Sequence, residues 1–424
     1  MSYKGMTRDE LIRLREKLMS QYEQKKSLGL SLSMARGKPE TAQLDLSTPM
    51  LGDTAEFVCE DGVDVRNYGV LSGITEAKRF FAEMLDVGTD NIVIYGNASL
   101  TIMYDTIARA YIKGILGSEP WCKLDRIKFL CPVPGYDRHF SICEFFGIEM
   151  INIPMDENGP DMDMVERLAS EDEAVKGIWC VPKYSNPTGI VYSDEVVRRF
   201  ANLKPAAKDF RIFWDNAYCV HHLYRDNQPE LLNIITECEK AGNPDMVYEF
   251  TSTSKITFPG AGISAMAASK ANIEETVRFM SAQIISHDKV NQLRHVMFLK
   301  NNVTLAGHMM KHADIMRPKF EKVTEMLNNE LGEAEIATWT KPLGGYFISF
   351  DSLPGCARRI VKMCADAGII MTGAGATYPY GNDPNDSNIR IAPSFPPMDE
   401  LISACEIFII CVKIASIDKI LESK

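Results

Sequence analysis

The chain has 424 residues, 46% hydrophobic and 24% charged, with a net charge of −11. That length predicts two or more folding units rather than one small core. The acidic balance, with no basic stripe, argues against a nucleic-acid partner. Its 11 cysteines show no C-x-x-C pair and no metal-ligand spacing, so they read as reduced thiols and no metal site is expected.

The opening stretch MSYKGMTRDELIRLREKL is charged throughout and does not read as a secretory signal. Together with the cysteine usage this predicts a cytoplasmic protein. Residues 1–50 start with a helix and end in Pro/Gly-marked connections, SMARGKPE and STPMLGD; they are expected to pack with a small C-terminal domain. From about residue 91 to 267 short apolar runs alternate with helical patterns. The strand candidates are 91–96, 126–131, 148–153, 175–181, 210–214, 246–250 and 262–268. Such alternation predicts a mainly parallel, seven-stranded sheet covered by helices, a large domain over 51–300. Long helical patterns follow at 272–285 and 291–331. Two strands, EIATW and GGYFISF, a helix at 357–367, the strand NIRIA and a last helix complete a smaller α+β domain over 301–424. The apolar stretch 401–417 contains Glu406 and Lys413, so it reads as a packed amphipathic helix and not as a membrane span.

Ligands of open parallel sheets sit beyond the carboxyl ends of the strands, which makes polar residues just after apolar runs the candidates. Lys255 follows MVYEF through the hydroxyl-rich loop TSTS; such a loop can hold an amine that attacks a carbonyl, and Ser252 could donate to an anion. Asp215 ends FRIFW, where a carboxylate is costly unless paired or working. Tyr218 lies three residues on. Asn186 opens N-P-T-G after the strand VKGIWCV. Asn97, Ala98 and Ser99, between a strand and a helix, would let backbone N–H groups approach a phosphate. Tyr136, in PVPGYDRH, could stack on a flat ring. Arg390, inside the apolar strand NIRIA, needs a partner, and a carboxylate suits its fork. Each residue also has a plainer reading: a surface lysine, a turn aspartate, core tyrosines, simple turns, a structural ion pair. His221 and His222 are taken as structural, because neighbours on a strand point to opposite faces.

In chain order these features are a small-residue phosphate loop, an aromatic after a strand, N-P-T-G, D-x-A-Y, S-x-S-K and N-x-R. That order resembles the fold-type I pyridoxal-phosphate (PLP) enzymes, the aspartate aminotransferase superfamily. The segments RGKP, RNYGVLSGI, YGNASLTIMYD, VPGYDRHF, SNPTG and TSKITFPGAG are most similar to its class Ic aspartate aminotransferases. The resemblance implies an α/β PLP-dependent transferase fold and a ping-pong exchange of amino groups between an amino acid, aspartate or glutamate, and a 2-oxo acid such as 2-oxoglutarate.

It also implies residue roles. Lys255 carries the cofactor as a Schiff base and shuttles a proton. Asp215 partners the pyridine nitrogen, Tyr218 and Asn186 the ring oxygen, and Tyr136 stacks on the ring. Asn97, Ala98, Ser99 and Ser252 hold the phosphate. Arg390 clamps the substrate α-carboxylate, and Gly37 lies beside it. Tyr68 reaches the phosphate of a neighbouring subunit, implying a homodimer with shared sites. One departure is visible: Ile263 stands where most of the superfamily carries a phosphate-binding arginine. For a distal carboxylate the candidates are Lys289, Arg294, Lys183 and Arg36. Ser252-Thr253-Ser254-Lys255 also fits the S-x-x-K of penicillin-recognising hydrolases, but S-D-N and K-T-G are missing. Another PLP reaction, a decarboxylase or lyase, or a PLP-binding regulator remain as alternatives on the same fold.

Overall fold

A computed structural model describes residues 2–52 and 56–424 of the chain; Asp53, the last residue of STPMLGD, lies outside them. The main sheet has eight strands in the order 92–95, 264–268, 247–252, 211–215, 175–180, 128–133, 149–156 and 159–160. The first seven of these are the strands expected from the sequence. The eighth, Gly159–Pro160, is a two-residue antiparallel return of the preceding strand, too short to leave an apolar run. The central pairs are parallel, and Ser264–Ala268 is antiparallel to both of its neighbours.

These strands are apolar on both faces because helices cover both. Ile92, Ile94, Leu130, Ile178, Ile212 and Trp214 face one core with the helices Thr75–Leu85, Met162–Glu171, Asp194–Ala201 and Ile234–Lys240. Val93, Tyr95, Phe129, Trp179, Phe213 and Phe250 alternate with them into a second core under the helices Ser99–Lys113, Asp137–Phe145 and Lys270–Met280. The period of two along each strand produces this division.

A third core joins the two ends of the chain. Leu11, Leu18 and Tyr22 of helix Arg8–Lys26 pack among Ile407, Phe408 and Val412 of helix Met398–Ser423. Leu32–Ser33 pairs in parallel with Ile369–Ile370. The antiparallel strands Ala337–Trp339, Ile348–Ser352 and Asn388–Ile391 form a separate sheet in this region. Two helical expectations are corrected. The helix expected over 272–285 stops at Met280. The pattern 291–331 is two helices, Lys289–Leu299 and Asn302–Leu331, broken where Lys300 takes a φ of 59° and the Asn301 side chain caps Thr304. No described helix is long and apolar enough to cross a membrane.

Candidate active site

The carboxyl ends of the central strands converge on Lys255. Strand Val247–Ser252 delivers it through a turn in which the Ile256 and Thr257 amides both donate to the Thr253 carbonyl. Its Nζ lies 5.0 Å from the ring centre of Tyr218 and 5.7 Å from that of Tyr346, so two aromatic faces flank the amine. Burial pushes the hydroxyls of Tyr218 and Tyr346 well above the usual phenol range. It raises that of Tyr136 to about 12.

Asp215 ends strand Arg211–Asp215 and is only 3% exposed. Its Oδ2 lies 3.0 Å from His139 Nε2, and the His139 ring stacks on Trp179 with centroids 4.4 Å apart and planes 10° apart. Its other oxygen, Oδ1, is buried with no partner among the described residues. A buried acceptor left over at a strand end suits a ligand that brings a donor, and the N–H of a protonated pyridine is such a donor. On this observation the residues fit PLP. Sequence reasoning missed His139; its signal was the three-residue step from Tyr136 in YDRH, which puts Tyr136 at the N-cap and His139 in the first turn of helix Asp137–Phe145. The two rings meet edge to face at 4.9 Å.

Arg390 is 7% exposed, and its partner is now visible. Nη1 lies 3.0 Å from Asp137 Oδ1 and donates to Asn186 Oδ1 at 3.3 Å, while Nη2 donates to Thr372 Oγ1 at 3.4 Å. The guanidinium sits over the Phe347 ring at 4.7 Å, and its Nε has no partner among the described residues. Lys255, Tyr136, Asn186, Tyr218, Arg390 and Gly37 all line one cavity of about 420 Å³. Gly37 is required by space: a Cβ there would come within 2.5 Å of Phe347 Cζ. Larger recesses exist, including one of about 760 Å³ beside Pro154 and Arg199, but that one holds neither Lys255 nor Arg390.

The small-residue loop is stitched to the lysine loop. Ser254 Oγ donates to the Asn97 carbonyl at 2.7 Å, Ser264 Oγ to that of Gly96 at 2.7 Å, and Asn97 Nδ2 to that of Pro259 at 3.2 Å. Ala98 is the N-cap of the 15-residue helix Ser99–Lys113 and offers no capping side chain; the Thr101 amide turns back to the Ala98 carbonyl at 3.2 Å, which leaves the Ser99 and Leu100 amides for an anion. Ser252 is buried and donates to Ser254 Oγ at 3.0 Å. Ile263 is 2% exposed and belongs to the sheet core; its amide donates to Thr253 Oγ1.

Tyr68 does not join the Lys255 cavity: it is 80% exposed, on a loop whose Asn67 carbonyl accepts from Lys289 Nζ at 2.6 Å. Of the four cations expected for a distal carboxylate, only Arg36 lines the cavity, together with Arg138, which the sequence reading did not single out. Lys183 lines a different recess with Glu230 and Cys219, Lys289 is committed to Asn67 and Ser286, and Arg294 lies outside the cavity. His221 and His222 lie not on a strand but in a turn and a single bridge to Gly344, so the opposite-face argument does not hold. His222 Nδ1 lies 2.6 Å from the Tyr184 hydroxyl. No metal-binding cluster occurs among the described residues.

Comparison with known proteins agrees with this geometry. The family described as aspartate amino-transferase matches residues 6–424. The aspartate aminotransferase of Corynebacterium glutamicum is 44% identical over 404 residues, covering 95% of this chain and 93% of that protein. A crystal structure of an aspartate transaminase from the same organism superimposes with a TM-score of 0.96 at 42% identity, covering 99% of each chain. An α-aminoadipate aminotransferase of Thermus thermophilus, 17% identical with a TM-score of 0.72 and covering 93% and 94% of the two chains, shares the fold. The chain belongs to the aspartate amino-transferase family and is an aminotransferase of the fold-type I architecture.

Proposed function

We propose that this aminotransferase uses PLP carried on Lys255 to move the amino group of a dicarboxylic amino acid, aspartate or glutamate, to a 2-oxo acid such as 2-oxoglutarate. The observation that carries the substrate reading is the charge of the Lys255 cavity. Besides Arg390 it is lined by Arg36 and Arg138, both exposed and neither paired with a carboxylate among the described residues. One guanidinium for the α-carboxylate and a second cation for the distal one is what a dicarboxylate requires.

Bound PLP supplies an electron sink for charge developing at the substrate Cα. The residues do the rest. Lys255 would hold the cofactor and move a proton at the substrate Cα. Asp215, steadied by His139 and Trp179, keeps the ring nitrogen protonated. Tyr218 and Asn186 hold the ring oxygen, and Tyr136 packs on the ring. The open amides at Asn97, Ala98 and Ser99, with Ser252, hold the phosphate. Arg390 fixes the α-carboxylate, with Gly37 beside it. The exposure of Tyr68 supports a homodimer in which this side chain serves the neighbouring site. Eleven free cysteines, nine of them buried, support a cytoplasmic, reducing setting.

The test is a spectrum of the purified protein with a panel of amino acids. A band in the region of roughly 360–430 nm is expected to bleach with aspartate and glutamate, and Lys255→Ala to lose both band and turnover. Parallel double-reciprocal plots are expected for donor and acceptor. Intersecting plots, or bleaching by monocarboxylic amino acids alone, would refute the respective parts.

A further inference from the structure

Behind Lys255 lies a buried polar chain that the mechanism above does not use. Gln43 Nε2 donates to the Tyr346 hydroxyl at 3.2 Å and lies 3.1 Å from His312 Nδ1. His312 Nε2 is 3.2 Å from His308 Nε2, and His308 Nε2 is 2.8 Å from the carbonyl oxygen of Ile256. Exposure is 0% at Gln43, 1% at Tyr346 and His312, and 6% at His308. Ser47 Oγ adds a contact of 3.3 Å to His308 Nε2.

The two ends of this chain meet on either side of one residue. It starts at Tyr346, whose ring the Lys255 amine faces, and finishes on the peptide carbonyl of the residue after Lys255. It draws on the helix Thr41–Asp45, the long helix Asn302–Leu331 and the segment before strand Ile348–Ser352. Filling this space with apolar side chains would avoid the cost of burying so many polar groups. Two Nε2 atoms in contact can share only one proton, so the tautomer of each histidine fixes the other and the chain acts as a unit. Burial holds both rings toward the neutral form, His312 down to about 3.

We propose that His308, His312 and Gln43 are positioning residues for Lys255: they fix its backbone through the Ile256 carbonyl and hold the Tyr346 ring against its amine. The proposal rests on Lys255 being the cofactor lysine. Holoenzymes of His308→Leu, His308→Gln and Gln43→Leu test it. His308→Leu is expected to lower kcat about tenfold or more while KM for both substrates stays within about threefold. It is also expected to shift the pH midpoint of the Lys255-linked absorbance by about half a unit or more. His308→Gln keeps an N–H for the carbonyl and is expected to restore most of kcat. Wild-type kcat and midpoint in His308→Leu, with only a lower Tm, would reduce the chain to core packing and overturn the proposal. Where His308→Leu does not fold, Gln43→Leu decides: a loss in kcat without one in KM supports the proposal, and wild-type kcat overturns it. Persistence of the band in Lys255→Ala would instead overturn the cofactor-lysine reading.

Discussion

Asp137 illustrates what a single residue adds that strand-end reasoning does not supply. It sits in the first turn of a helix, where a carboxylate is favoured by the open N–H groups, and that role alone explains its presence. The structure shows it also 3.0 Å from Arg390, so the cation read as the α-carboxylate clamp already carries an anion. An incoming carboxylate competes with Asp137 for one guanidinium. Asp137→Asn is therefore expected to lower KM for every amino and oxo acid by about threefold to fivefold, roughly 1 kcal/mol for a partly exposed pair, with kcat little changed. Steady-state kinetics check this; a higher KM would mean that Asp137 orients Arg390 instead. At Asp215 the expected effect is on kcat. Asp215→Ala removes the proposed acceptor for the ring nitrogen and the partner of His139, and a loss of at least about a hundredfold is expected in single-turnover rates. Lys255, Asp215, Tyr218, Asn186, Tyr136 and Arg390 were legible because each follows or interrupts an apolar run. His139, Trp179 and Tyr346 were not, because their roles come from contacts between segments far apart in the chain.

At the scale of elements, the strands read clearly because helices bury both faces, leaving unbroken apolar runs bounded by turns. Helix boundaries read less well. The pattern through residues 291–331 carries buried apolar residues on both sides of the break at Lys300-Asn301, Leu299 and Leu305 among them, so no polar gap marks the break. What breaks it is local: Asn301 caps the following helix, and Lys300 adopts φ 59° and ψ −67°, a conformation that a side chain disfavours. Lys300 is exposed, so its side chain has no packing role to lose. Lys300→Gly is expected to stabilise the protein by about 0.5–1 kcal/mol, the strain relieved exceeding the added freedom of the unfolded chain. Lys300→Ala, which keeps a Cβ, is expected to change little. Urea unfolding of both variants checks the difference, and equal midpoints would place the strain elsewhere.

For the whole molecule, the histidines act together on stability. Burial depresses six of the seven: His221 well below the usual range, His222 and His295 to about 4, His312 to about 3, and His287 and His308 in the same direction. In the unfolded chain these rings take up protons near pH 6.5, while in the folded chain they resist. The unfolded state therefore binds more protons below that value. The stability these rings contribute is complete above pH 6.5 and is lost as the pH falls toward 3–4. Glu249 has the opposite sign. Burial raises it to about 7, so its contribution is present at low pH and is lost as the pH rises from its ordinary value through 7. Burial also raises Asp351, so two carboxyls oppose six imidazoles, and the histidines decide the direction between pH 7 and 5. Each fully buried ring, such as His295 or His312, adds up to about 1.4 kcal/mol per pH unit once the pH is below its unfolded value. Urea midpoints are thus expected to fall steeply from pH 7 to 5. His295→Gln can still meet the Thr257 hydroxyl, 2.9 Å from the ring nitrogen, but does not titrate, so it is expected to flatten that fall by about one proton's share. An unchanged slope in this variant would mean that the ring is protonated, or reached by water, in the folded protein.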